Sequence, residues 1–136
     1  MRLYFDSSAI IYLIEGRGAT RQLIRARIAA AVSSFNGGIC TSRISLLECR
    51  SKPMRLKNDP LLAAYDAILL NSPMAVFEID ASIVAVATKL QADHNLRTPD
   101  SIHMATAIHQ GASAFLTGDK KLQRCGTLIP IEIIQP

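Results

Sequence analysis

Short apolar segments with strand character recur along this chain, and helical stretches separate each from the next. Residues 2–5 (RLYF), 38–42 (GICTS), 75–79 (AVFEI), 114–117 (AFLT) and 131–134 (IEII) have strand length and strand composition. Between them, residues 7–15 form a helix closed by Gly16 and Gly18, 20–35 a second helix, and 44–58 a third with a break expected near Pro53. Helices are also expected over 59–70, 80–94 and 119–124, and from Pro99 to about residue 110 with Thr98 as the cap. Turns at Asn36-Gly37-Gly38 and Asn71-Ser72-Pro73 introduce the second and third strands. Strands alternating with helices imply a parallel sheet covered on both faces, so the expected fold is a doubly wound α/β sandwich of five strands.

The 136 residues suit a single domain, 1–136, with 49% hydrophobic residues and no low-complexity run. Apolar stretches stop well short of bilayer-spanning length, and the N-terminus carries Arg2 and Asp6 within its apolar run. A cytoplasmic protein without membrane attachment is expected. Three cysteines, Cys40, Cys49 and Cys125, show no C-x-x-C pairing and read as reduced thiols in or near the core. Between Gly16 and Lys57 stand Arg17, Arg21, Arg25, Arg27, Arg43, Arg50, Lys52, Arg55 and Lys57 against one acid, Glu48. Such a block suits either a polyanionic partner or a solvated helix surface.

Four acids stand out. Asp6 closes the first strand, Glu48 lies near Ile44 and Leu47 in the third helix, Asp100 follows Pro99 in a first helical turn, and Asp119 follows the fourth strand. Each has an ordinary explanation: helix cap, ion-paired core acid, dipole-stabilising acid and turn residue. Their combination says more, because two strand ends and two helix starts can meet at one edge of a doubly wound sheet. Carboxylates gathered there repel unless a cation neutralises them. Hard oxygen ligands without His or Cys suit Mg²⁺ or Mn²⁺. A dication site beside a basic surface is the pairing expected of an enzyme acting on nucleic-acid phosphodiesters.

The segments "LYFDSSAIIYL", "SRISLLECR", "RTPDSIHMATAI" and "FLTGDKKL" resemble, in order and spacing, the motifs of PIN-domain ribonucleases, in particular VapC-type toxins. The resemblance implies a Rossmann-like three-layer sandwich with strand order 3-2-1-4-5 and Mg²⁺- or Mn²⁺-dependent endonuclease action on RNA. It also implies a homodimer inhibited by a cognate antitoxin. By position, Asp6, Glu48, Asp100 and Asp119 become the catalytic and metal-binding quartet, supported by Thr117 and by Ser7 or Ser8. Lys120 and Lys121 stand directly after Asp119, where a further acid would favour a second metal.

Arg and Lys from the 17–57 block are expected to guide the RNA backbone, and with 5% aromatics recognition should rest on shape and phosphate more than on stacked bases. His103, on the same helical face as Asp100, is expected to be packed or hydrogen-bonded. Apolar positions of the first two helices and of residues 61–70 belong mainly to the core, with part available for a dimer face or an antitoxin groove. Two alternatives are a PIN-fold RNA- or protein-binding module without nuclease activity and a receiver-like signalling domain. A receiver needs paired acids after the first strand and a phosphoacceptor after the third, where Asp80 is the sole candidate.

Overall fold

The computed structural model describes residues 2–34 and 37–134. Its strands are β1 (Arg2–Phe5), β2 (Gly38–Ser42), β3 (Ala75–Phe77), β4 (Ala114–Thr117) and β5 (Ile131–Ile133). Its helices are α1 (Ser7–Glu15), α2 (Gly18–Ser33), α3 (Ile44–Arg55), α4 (Asp59–Leu69), α5 (Ala81–His94) and α6 (Thr98–His109), with a 3-10 helix over Lys120–Cys125. The strands pair in parallel in one sheet of order β3-β2-β1-β4-β5, as the resemblance implied. Phe35 and Asn36, at the expected end of the second helix and the start of the turn after it, lie outside the described residues.

The sheet separates two cores because successive side chains of a strand point to opposite faces. Leu3, Phe5, Ile39, Ala114 and Leu116 share one core with Ala9 and Ile10 of α1, Ile24 of α2, Cys49 of α3, and Tyr65 and Leu69 of α4. Tyr4, Cys40 and Phe115 meet Ile83 and Ala87 of α5, Met104 of α6 and Leu122 of the 3-10 helix on the other side. Tyr4 aligns with Phe115 across β1 and β4, and their rings stack at 5.2 Å. Burial on both faces is why β1 and β4 read as unbroken apolar runs. The three thiols are free and buried, and burial pushes those of Cys40 and Cys49 up to about 12.

Several sequence expectations shift in detail. α3 continues through Pro53 to Arg55, although Pro53 cannot donate to the Cys49 carbonyl, so the expected break is displaced to Leu56. Thr98 is the first residue of α6, with Arg97 at the cap, and Asn95 ends α5 in the left-handed conformation at φ 52°. The third strand is shorter than expected, because Glu78 leaves the sheet to pair with Arg43. The inward face of α3 is formed by Ser45, Cys49 and Pro53, not by Ile44 and Leu47; Leu47 is 67% exposed. Small residues on the inward line let α3 approach α1 closely, with Cys49 Sγ 3.8 Å from the Ser7 carbonyl.

Phe115 joins the central strand pair to the α5–α6 layer and is fully buried. Phe115→Ala is expected to lower stability by about 3–5 kcal/mol, read from the midpoint of a urea unfolding curve. A loss below about 1 kcal/mol would mean that this core collapses around the gap.

Candidate active site

Adjacent parallel strands β1 and β4 end side by side. Phe5 aligns with Leu116, and the Asp6 amide donates to the Leu116 carbonyl at 3.2 Å, so Asp6 and Thr117 emerge at one edge of the sheet. Asp6 caps α1: its Oδ1 accepts from the Ala9 amide at 3.0 Å and from Ser8 Oγ at 2.6 Å. Its Oδ2 accepts from Thr117 Oγ1 at 2.5 Å. Ser8 Oγ in turn accepts from the Gly118 amide at 2.7 Å, and Thr117 Oγ1 from the Asp119 amide at 3.0 Å. A Cβ at Gly118 would lie 2.3 Å from the Tyr12 ring, which would have to shift to admit a side chain there. Asp6 is 5% exposed, and burial raises its carboxyl above the usual range despite these hydrogen bonds.

Glu48 reaches the same edge from the flank of α3. Its Oε1 accepts from Ser7 Oγ at 2.6 Å and lies 2.7 Å from His103 Nε2. The other ring nitrogen, Nδ1, is 2.7 Å from the buried Tyr4 hydroxyl. A tautomer with the proton on Nε2 satisfies both contacts, with Tyr4 donating to Nδ1. Burial alone would raise the Glu48 carboxyl, but the bonds from His103 and Ser7 outweigh it and hold the group below its ordinary value. His103 is 2% exposed, in agreement with the packed, hydrogen-bonded place expected for it.

Asp100 stands in the first turn of α6, 9% exposed and bound by Arg97, with Nε at 3.0 Å and Nη2 at 3.4 Å from its two oxygens. Asp100 in return raises the Arg97 pKa, with smaller contributions from Asp119 and Glu48. Asp119 caps the 3-10 helix through the Lys121 amide at 2.9 Å, so the ordinary capping explanation is also true of it.

All four acids border one depression of about 90 Å³, together with Ser7, Ser8, Arg97 and His103. The donors are carboxylates and hydroxyls, the oxygen chemistry that suits Mg²⁺ or Mn²⁺. Among the described residues no three His, Cys, Asp or Glu side chains close around a single point. Each carboxylate is instead engaged by its own partners, and Arg97 supplies positive charge where a dication would. The residues therefore fit such an ion in kind, with Asp100 shared between it and Arg97.

Sequence reasoning passed over Arg97 and Tyr4. The signal for Arg97 was its place three residues before Asp100, the spacing at which opposite charges meet on a helix. Some cations of the basic block are already matched. Within 17–57, Arg27 pairs with Glu132 and Arg43 with Glu78, while Arg50 lies 2.8 Å from Asp66 without the alignment of a hydrogen bond.

The burial of Asp6 has a measurable sign. A carboxyl whose folded pKa exceeds its unfolded value destabilises the folded protein once ionised. The penalty is absent below the unfolded carboxylate pKa, grows as pH rises from there towards the folded pKa, and is complete above it. Asp6→Asn should therefore melt above the wild type at pH 7 in EDTA, with the gap closing as pH falls through the carboxylate range. A variant that melts lower at pH 7 would mean that the hydrogen bonds to the carboxylate outweigh its desolvation.

The chain matches the PIN domain family over residues 3–128. No curated protein sequence matches it closely enough to count as a relative. Among solved structures it is similar to the Rickettsia felis VapBC2 complex bound to a promoter DNA fragment, with 16% identity, a TM-score of 0.80 and 98% of each chain covered. It is also similar to DNA-bound VapBC from Salmonella typhimurium, with 19% identity, a TM-score of 0.77 and 98% of each chain covered. A third similar structure is VapC20 of Mycobacterium tuberculosis, a sarcin-ricin loop cleaving toxin, with 20% identity, a TM-score of 0.71, and 91% of this chain and 95% of the other covered. These likenesses carry the fold, and the match over most of the sequence carries the family: the chain belongs to the PIN domain family.

Proposed function

We propose that the protein is a divalent-metal-dependent endoribonuclease that hydrolyses RNA phosphodiester bonds, the toxin of a toxin–antitoxin pair acting in the cytoplasm as one 136-residue domain. One observation carries this reading: Asp6, Glu48, Asp100 and Asp119, from four separate segments of a PIN fold, border one depression. The naming of VapC20 as a sarcin-ricin loop cleaving toxin supports RNA as the substrate class. The strand order argues against the receiver alternative, whose sheet runs 2-1-3-4-5.

Asp6, Asp100 and Asp119 would hold Mg²⁺ or Mn²⁺, with Glu48 directly or through water; such an ion acidifies a water and neutralises charge on the phosphate. Thr117 and Ser8 fix the two oxygens of Asp6, and Ser7 and His103 fix Glu48. Arg97 neutralises Asp100 in the resting protein. That same pairing favours the second reading, a PIN-fold binding module without nuclease activity, if Arg97 never yields its place.

The partners proposed are an antitoxin and a second copy of the chain. A groove of about 470 Å³ lined by Leu13, Ile14, Ile28 and Ile68, with Arg21 and Arg25 among its walls, suits an apolar antitoxin segment carrying an acid. Arg21 Nε there is buried without a hydrogen-bond partner among the described residues. Leu47 in the first turn of α3, Met54 in its last and Leu56 just after it, all more than half exposed, suit a homodimer contact.

Purified protein should cut structured RNA with Mg²⁺ or Mn²⁺ and not with EDTA, and Asp6→Asn should abolish cutting. Thr117→Ala, which removes the hydrogen bond to Asp6 and the acceptor of the Asp119 amide, should retain cleavage at a rate about 10–100-fold lower. Cutting that survives EDTA or Asp6→Asn would refute the metal-nuclease reading. A folded wild type that binds RNA yet never cuts it would favour the binding module.

A further inference from the structure

A second hollow, of about 290 Å³, opens beside the acidic depression and shares Arg97, Asp100 and Asp119 with it. Its remaining walls are Asn95, Lys121, Leu122 and Arg124. It lies between the end of α5, the start of α6 and the 3-10 helix, so it depends on the local structure that follows Asp119. Three cations therefore border a space continuous with the four acids, and none of the three belongs to the basic block of residues 17–57.

The cations differ in what holds them. Arg97 is committed to Asp100. Arg124 is fixed by the carbonyls of His94 and Asn95, at 2.5 and 3.5 Å, where α5 ends in its left-handed turn. Lys121 gives its backbone amide to Asp119, while its exposed ammonium has no ion-pair partner among the described residues. Lys120 does not line the hollow. An unpaired ammonium beside a fixed guanidinium, close to two carboxylates that could have paired with it, leaves a place for an external anion.

The walls also define which part of a nucleic acid the hollow can take. They include no aromatic side chain on which a base could stack, and Leu122 is the only apolar member, 2% exposed. Recognition here is by charge, which means the sugar-phosphate backbone.

Resting on the nuclease reading above, we propose that the hollow formed by Arg97, Lys121 and Arg124 is a subsite for an RNA backbone phosphate next to the bond cut at Asp6, Glu48, Asp100 and Asp119. Arg124 provides a preset charge and Lys121 a mobile one. Arg97 stands between the two hollows and orients the chain as it passes. The strand is thus gripped on the side of Asp119, and the two lysines after that residue have separate fates, with Lys121 on the phosphate and Lys120 in solvent.

The test is fluorescence anisotropy of a labelled single-stranded oligoribonucleotide, with Mg²⁺ and in the Asp6→Asn background, alongside RNA cleavage by the protein with Asp6 intact. Lys121→Ala removes an exposed side chain without a structural partner and should leave folding unchanged. It is expected to weaken binding about fivefold and to reduce the slope of log affinity against log salt by about one. Lys121→Arg should restore both. Lys89→Ala removes the same charge from α5, where Lys89 pairs with Asp93 and lines neither hollow. It should change affinity less than about twofold. Equal effects of Lys121→Ala and Lys89→Ala would overturn the subsite while leaving the nuclease reading intact, provided the protein with Asp6 intact cuts RNA. A protein that neither cuts nor binds the RNA would overturn both.

Discussion

The hydrogen bond from Thr117 to Asp6 joins the ends of the two central strands, and the rest of the site is arranged around it. A buried carboxylate is tolerated only where donors replace water. Here three converge: Ala9 and Ser8 are supplied locally by the start of α1, and Thr117 is supplied because β1 lies next to β4. Ser8 and Thr117 are themselves engaged by the amides of Gly118 and Asp119, so the turn after β4 is tied to the start of α1. Loss of the β1–β4 register would remove the Thr117 bond to Asp6 and the placement of Asp119 together.

The fold was legible because its strands are buried on both faces. Such strands cannot alternate polar and apolar residues, so "RLYF" and "AFLT" stand out as apolar blocks between helical stretches, and the alternation of the two kinds of element implies a parallel sheet. Boundaries were less legible where tertiary contacts overrode local signals. Pro53 reads as a helix breaker, yet it falls close enough to the end of α3 that the lost donor affects only the last turn. The end of α5 was legible: the helix expected over 80–94 stops at His94, and Asn95 takes the positive φ there that Asn adopts more readily than most residues.

For the site, strand-end positions were legible and side-chain partnerships were not. Asp6 and Asp119 follow apolar strands, and their place at the sheet edge follows from topology alone. Glu48 was placed beside Ile44 and Leu47 on the assumption that large apolar residues mark the inward face of a helix. Close packing against α1 instead selects Ser45 and Cys49, and Glu48 reaches the site from the flank because Ser7 and His103 meet it there. The cations of the 17–57 block were legible only as a count, because density along the sequence does not say which charges are already matched. Arg27 and Arg43 answer Glu132 and Glu78, residues remote in sequence.

The four acids could not lie this close in the folded protein without compensation, and the compensation differs for each. Asp6 is served by neutral donors and has a raised pKa, whereas Glu48 is served by His103 and Ser7 and has a lowered one. Asp100 has Arg97, the one full positive charge paired with the quartet by direct contact. The resting protein therefore holds its acids apart, each satisfied locally, and no preformed cage is needed to keep the fold intact. In the proposed reading an ion in the depression would compete with Arg97 for Asp100. Arg97 also lines the hollow of Lys121 and Arg124, so the neutralisation of the acids and the charge of that hollow depend on the same arginine.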